Sequence, residues 1–269
     1  MCRFDAYSFI VLAAPSLPSN RESAEIFHLL FLRLLSSGPD RSHYVVKGGC
    51  NLRFWFGSVR FSEDIELDVH VTSKTTLKNK IDRLLDGGPL KTMLGAKGLL
   101  LSGFSAPKQT EVTQRWKVGL TAEHLATPFQ TKIEFSRRAA VGGSALEPID
   151  RSLTRRYALP TALGEHYLAP AAIAQKIAAL AHRTETQARD IFDLALLFGK
   201  LGATPVTLSE AAKQDIARAV ERAMGVSFDE FSGQVVAFLE DEHRVLYESR
   251  TSWDLLQADV VAQLEDLGR

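Results

Sequence analysis

The sequence predicts an α+β protein, with a mixed sheet and flanking helices over residues 1–160 and a helical domain over residues 161–269. Two observations carry this. Before about residue 160, helical and strand-like hydrophobic periods alternate along the chain. From the alanine-rich stretch "PTALGEHYLAPAAIAQKIAALAHR" onward, the patterns are helical only. A third observation bounds the class. The 269 residues are 45% hydrophobic and 24% charged, as in an ordinary globular chain large enough for two cores.

The formal net charge is zero, so the overall charge does not mark a nucleic-acid binder, and such a role must rest on a local basic patch. Two cysteines, Cys2 and Cys50, make neither a disulfide framework nor a zinc site. That points to a reducing compartment and a cytoplasmic protein. The opening "MCRFDAYSFIVLAAPSLPSN" has an early arginine and a short apolar run. Asp5 interrupts the charged end and Tyr7 and Ser8 break the run, so local structure is expected there rather than a cleaved leader. No apolar run approaches the ~20 residues of a membrane helix.

The elements follow in order. Residues 20 to 35 read as a helix capped by Asn20, with Ile26, Leu29, Leu30 and Leu34 at helical spacing. After the loop "SSGPDRSH" come the apolar strand "YVVKGG", the amphipathic piece "CNLRFWFG" and the strand "IELDVHV". Residues 75 to 86 suit a helix, and "GLLLSGFS", "TQRWKVGL" and "QTKIEFS" suit strands. In the helical part Pro170 suits a first turn. Capping boxes pair Thr184 with Gln187, Thr207 with Glu210 and Ser227 with Glu230.

Asp64, Glu66 and Asp68 alternate with Ile65, Leu67 and Val69, so on a strand the three carboxylates share one face. An edge strand with one wet face gives the same pattern. Three like charges in a row nevertheless repel unless cations neutralise them, and a hard divalent cation is held by one or two carboxylates with substrate phosphates. Glu134 in "QTKIEFS", flanked by Ile133 and Phe135, is a further acid if its strand lies alongside. Gly48 and Gly49 end a strand before a helical stretch, where backbone N–H groups can approach a phosphate. The P-loop and dinucleotide fingerprints are both missing. Arg53, Arg60 and Ser62 lie between glycines and acids; arginine suits phosphate, and Arg60 can equally pair with Glu63 or Asp64. Further on, Lys176 and Arg183 fall on nearly one helix face, and Asp190 and Asp193 are neighbours on the next helix. These charges can also simply bridge two helices.

As a whole, "KGGCNLRFWFGSVRFSEDIEL" resembles the K-G-G-[ST]-x-L-R … R-x-S-x-D-[IL]-D-L signature of AbiEii-like nucleotidyltransferases. These are toxins of abortive-infection toxin–antitoxin systems, within the polymerase β-like nucleotidyltransferase superfamily. "AQKIAALAHRTETQARDIFDLALL" resembles the family's K-x-x-A-L-x-x-R … R-D-[IL]-x-D-L segment, and the likeness runs from about residue 24 to 200. The resemblance implies a nucleotidyltransferase-type sheet and a set of site residues. Asp64 and Glu66 would be paired metal ligands and Glu134 the third carboxylate. Lys176 and Asp190 would join the catalytic set from the helical domain. Lys47, Gly48, Gly49, Arg53, Arg60, Ser62, Lys176 and Arg183 would bind the nucleotide. Two positions depart from the pattern. Glu66 stands where the family has Asp, and Cys50 stands where a Ser or Thr hydroxyl would give a phosphate donor.

The function implied is magnesium-dependent transfer of a nucleotide from a nucleoside triphosphate to an acceptor hydroxyl through a two-metal site. The tRNA acceptor end is one such acceptor. Arg137, Arg138, Arg151, Arg155 and Arg156 would track an RNA backbone, and a cognate antitoxin is the implied partner. The alternatives are a non-catalytic nucleotide-binding protein that keeps the fold, or an enzyme modifying a protein or small molecule. If Lys176 faces the cleft, Lys176→Ala is expected to weaken triphosphate binding with little change in stability.

Overall fold

The computed structural model describes residues 17–125, 127–137, 143–201 and 208–269. The opening stretch considered as a leader, Arg138 and the box of Thr207 with Glu210 lie wholly or partly outside the described residues.

The chain begins with α1 (Asn20–Leu35). Its N-cap is Ser19, one residue before the expected Asn20, in a capping box with Glu22. The reason is local: the Ser19 hydroxyl accepts from Glu22 N–H while Glu22 reaches back to Ser19 N–H. β1 (Tyr44–Lys47) follows, then α2 (Gly48–Trp55), β2 (Asp64–Val69), α3 (Lys74–Asp86) and α4 (Gly88–Gly95). Next come β3 (Leu99–Gln109), β4 (Thr113–Ala122), β5 (Phe129–Ser136), β6 (Ser144–Pro148), α5 (Arg151–Arg156) and β7 (Leu163–Tyr167). The remainder is α6 (Ala169–His182), α7 (Ala188–Leu201), α8 (Glu210–Met224), α9 (Phe228–Gln234), α10 (Asp241–Arg244) and α11 (Arg250–Leu267).

The seven strands form one mixed sheet in the order β3-β4-β5-β2-β1-β7-β6. β7 corrects the expectation of helices only after residue 160. "LGEHY" pairs parallel to β1 and antiparallel to β6, so it is an interior strand of the sheet, too short and too polar to show against the alanine-rich helix behind it. Thr184 caps no helix either. α7 starts at Ala188, whose N–H is satisfied by Gln234 Oε1 at 2.8 Å. The box of Ser227 with Glu230 is present.

Alternation builds the core. Ile65, Leu67, Trp116, Val118, Ile133 and Phe135 are all fully buried on one sheet face, packed with α1, α3 and α4. A second apolar cluster gathers α6 to α9 and α11 around Phe231 and Trp253, and it takes in Leu52 from α2. The segment after α9 returns to the loop before β2. Phe61 N–H donates to Phe238 O at 2.9 Å and Glu240 N–H to Val59 O at 3.0 Å. No helix is long and apolar enough to cross a membrane among the described residues.

Candidate active site

The sheet face opposite the core carries the acids. β2 and β5 run parallel in a register that sets Glu66 beside Glu134 and Asp64 beside Lys132. Partners in register share a face, so Asp64, Glu66, Lys132 and Glu134 stand together. Glu66 is exposed and Asp64 half-buried, whereas Asp68 is buried and held by Lys47 at 2.5 Å and the Tyr167 hydroxyl at 2.7 Å. The third acid of the alternating run is therefore structural, and Lys47 is its counter-ion as well as part of the cleft wall.

The glycines lie where side chains would not fit. Gly48 has φ +64, and a Cβ on it would stand 2.6 Å from Glu66 Oε2. A Cβ on Gly49 would stand 2.7 Å from Ser62 Oγ, whose hydroxyl donates to Asp64 O at 2.8 Å. The loop thus lies directly against the acidic strand. Cys50 points the other way. Its buried thiol faces Asp64 O at 3.4 Å and the His28 ring at 3.7 Å, and burial pushes its pKa up. The expected loss of a phosphate donor at position 50 therefore does not follow, because this side chain braces the strand from behind.

Across the cleft, Lys176 on α6 and Arg183 at its end meet Asp190 and Asp193 on α7. Lys176 Nζ lies 2.8 Å from Asp190 and 2.6 Å from Asp193, both fully buried. Arg183 Nε lies 2.9 Å from Asp190, and Arg60 Nη2 donates to both Asp193 oxygens at 3.1 and 3.0 Å. Burial alone would lower the Lys176 pKa, but the two acids hold it raised; burial alone would raise that of Asp193, but Arg60 and Lys176 hold it low. Lys176 is thus charged and presented to the cleft by a buried frame. Asp190 belongs to that frame and not to the cleft wall. Arg60 Nε is buried with no partner among the described residues, a donor left over for an anion.

A cleft of about 760 Å³ runs between the acidic face and the helices, walled by Gly48, Glu66, Glu134, Lys176 and Arg183 among others. An adjoining recess is lined by Gly48, Gly49, Arg60, Ser62, Asp64, Glu66, Lys176 and Arg183. Of the residues expected at the site, Asp190, in the buried frame behind Lys176, and Arg53 are absent from both. Arg53 takes no part in the cleft at all. It is buried, with Nε 2.6 Å from Glu25, Nη2 2.6 Å from Glu240 and Nη1 donating to Ser58 O at 2.7 Å. A fully engaged guanidinium has nothing left for phosphate, so Arg53 is a structural bridge. Lys132, 3.0 Å from Asp64, Arg115, 2.5 Å from Glu134, and Asp193 stand outside the expected set.

The donor set, three carboxylates on adjacent parallel strands beside an open cleft, suits a hard divalent cation. The one group of acids and histidine drawn close enough to share an ion among the described residues is Glu240, Glu242 and His243. Glu240 is already engaged by Arg53 and Arg156, outside the cleft.

The fold has solved counterparts. JHP933 from Helicobacter pylori superposes with a TM-score of 0.58 at 18% identity, covering 93% of this chain and 96% of that one. MenT4, a nucleotidyltransferase toxin from Mycobacterium tuberculosis H37Rv, superposes with a TM-score of 0.63 at 19% identity, covering 91% and 83%. These likenesses speak to fold alone. No curated protein matches the chain. The family described as "Nucleotidyl transferase AbiEii toxin, Type IV TA system" matches residues 30–266. Nearly the whole chain is matched, and it therefore belongs to the AbiEii family of nucleotidyltransferase toxins of type IV toxin–antitoxin systems.

Proposed function

We propose that this nucleotidyltransferase uses magnesium and a nucleoside triphosphate, and transfers the nucleotide to an acceptor hydroxyl in the cleft between β2 and α6. One observation carries the reading: the Glu66–Glu134 register and Asp64 form one acidic face, directly opposite a lysine held charged by buried acids. The 760 Å³ cleft is within the ~300–1,000 Å³ range of small-molecule sites.

Asp64, Glu66 and Glu134 would hold the divalent cation, which when bound supplies charge stabilisation at the attacking and leaving oxygens. Gly48 and Gly49 let backbone approach the phosphates. Lys176, Arg183 and the unpartnered Nε of Arg60 neutralise phosphate charge that carboxylates cannot contact. Ser62 fixes the strand start through Asp64 O, and Asp190 positions Lys176 and Arg183. Glu134 is placed to take the proton of the acceptor hydroxyl. Glu66, one methylene longer than the family's Asp, reaches back over Gly48, which has no side chain to obstruct it.

The reading keeps two domains, sheet and helical, with the division moved from residue 160 to the end of β7. It takes an RNA end such as that of tRNA as acceptor, a cognate antitoxin as partner and the cytoplasm as the place of action. The test is transfer from each labelled triphosphate with magnesium to total RNA or protein. Asp64→Ala should abolish labelling in a folded protein and relieve growth arrest on expression; labelling that survives Asp64→Ala would overturn the assignment. Glu66→Asp should retain labelling.

A further inference from the structure

The register that gathers the acids continues outward across the sheet. Asp64 pairs with Lys132, Lys132 with Lys117, and Lys117 with Ser105. In the next row Glu66 pairs with Glu134, Glu134 with Arg115, and Arg115 with Lys108. Partners in register share a face, so four cations stand on the same side as the carboxylates. Strands are ~4.8 Å apart, which sets Lys117 about 10 Å and Lys108 about 14 Å from β2 across the sheet.

The cations differ in what holds them. Lys132 and Arg115, nearest the acids, are paired with Asp64 and Glu134. Lys117 and Lys108 are exposed and have no ion-pair or hydrogen-bond partner among the described residues. The opposite face of these strands is filled by Trp116, Val118, Ile133 and Phe135, so the cations have no way to turn inward. Beside them Gly103 pairs with Gly119, and only the small Ser102 hydroxyl lies over Gly119, so the row between the two strands stays low. The result is a shallow floor of positive charge that starts at the acids and leads away from the cleft.

We propose that this floor, carrying Lys132, Arg115, Lys117 and Lys108 in register with the carboxylates, is the track for the phosphate backbone of a nucleic-acid acceptor. The proposal rests on the reading that the carboxylates are the transfer site. Nucleotidyl transfer needs a hydroxyl at the acids. A nucleic-acid strand supplies one at its end and a negative charge at every following nucleotide, matching a row of cations that begins where the hydroxyl must sit. The track is set by strand pairing and is separate from the arginines of residues 137–156. Of those, Arg156 is engaged by Glu240 and Glu22, and Arg137 donates to Thr72 O.

The test is fluorescence anisotropy of a short labelled single-stranded RNA with a free 3′ hydroxyl, titrated with the full chain across a salt series. The variant is Lys108→Ser with Lys117→Ser, both exposed, so the fold should be retained. Each lost phosphate contact lowers the slope of log K against log salt by ~0.7 on a single strand, so the double variant should lose about 1.4. Its RNA affinity at low salt should fall by about tenfold or more, with triphosphate affinity unchanged. An unchanged slope and affinity would overturn the track. So would a parent protein that binds polyglutamate but not RNA, since the face would then suit an acidic protein. RNA binding is read without turnover: Asp64→Ala should bind RNA like the parent, so transfer surviving in that variant would sink the active-site assignment while leaving the RNA result to stand on its own.

Discussion

Replacing Lys176 by methionine tests the buried frame directly. The sequence alone predicts little change in stability, because a lysine in an alanine-rich helix can reach solvent along its stem. The structure predicts otherwise. Lys176 Nζ sits 2.8 Å from Asp190 and 2.6 Å from Asp193, and both acids have no exposed surface. Breaking a buried pair costs ~3–5 kcal/mol because it leaves charge uncompensated. Here Asp190 keeps Arg183 and Asp193 keeps Arg60, so the loss should fall at the lower end, about 3 kcal/mol. The sign with pH follows from the shifts. The raised Lys176 contributes fully below its ordinary pKa and loses this only as pH rises through the raised value; the lowered Asp193 loses its contribution only in acid. The penalty should therefore be equal between about pH 6 and 8. Urea unfolding at both limits measures it, alongside triphosphate affinity, which should also fall. Adding Asp193→Asn should cost less than the sum of the single changes, with coupling of about 1 kcal/mol or more. A loss below about 1 kcal/mol for Lys176→Met, with additive behaviour, would refute the frame.

Gly48→Ala should cost ~1–2 kcal/mol for the left-handed backbone and push Glu66 aside, weakening manganese affinity in a direct titration. Arg53→Leu leaves buried Glu25 with only the Tyr157 hydroxyl and Glu240 with Arg156, and should cost ~3 kcal/mol, yet the fraction that stays folded should bind triphosphate as the parent does. Burial holds the His28 pKa down to about 3, while the unfolded chain takes up a proton near 6.5, so acid favours unfolding between these values. The slope is ~1.4 kcal/mol per pH unit, and His28→Gln should flatten it in urea midpoints measured from neutral pH downward; parallel curves would rule out this origin.

What was legible in the sequence was whatever depends on neighbours along the chain. The period of two in "DIELDV" and "QTKIEFS" set the acids on strand faces, and β3 to β5 lie on the runs that predict them. The apolar stripe of α1 likewise gave its span. What was hidden depends on partners far away. Nothing near Arg53 announces Glu25 or Glu240, which stand 28 and 187 residues from it. The register that brings Lys132 to Asp64 is set by non-local strand pairing. β7 is hidden because its five residues carry too little pattern to compete with the helix that follows. The inward turn of Cys50 is hidden because position in a motif does not reveal which way a side chain turns at a helix start.

The stretch from Val236 to Glu240 gives the site an order of assembly. It pairs with the loop at Val59 to Phe61, and Arg60 bridges to Leu239 in that pairing. Phe238 also walls the recess beside the acids. A nascent chain can lay down all three carboxylates, both glycines and Lys176 while the loop bearing Arg60 still lacks the strand that anchors it. Synthesis must pass Glu240 before the Val59–Phe61 loop gains its pairing partner, so a chain ending earlier lacks both that anchor and the Phe238 wall of the recess.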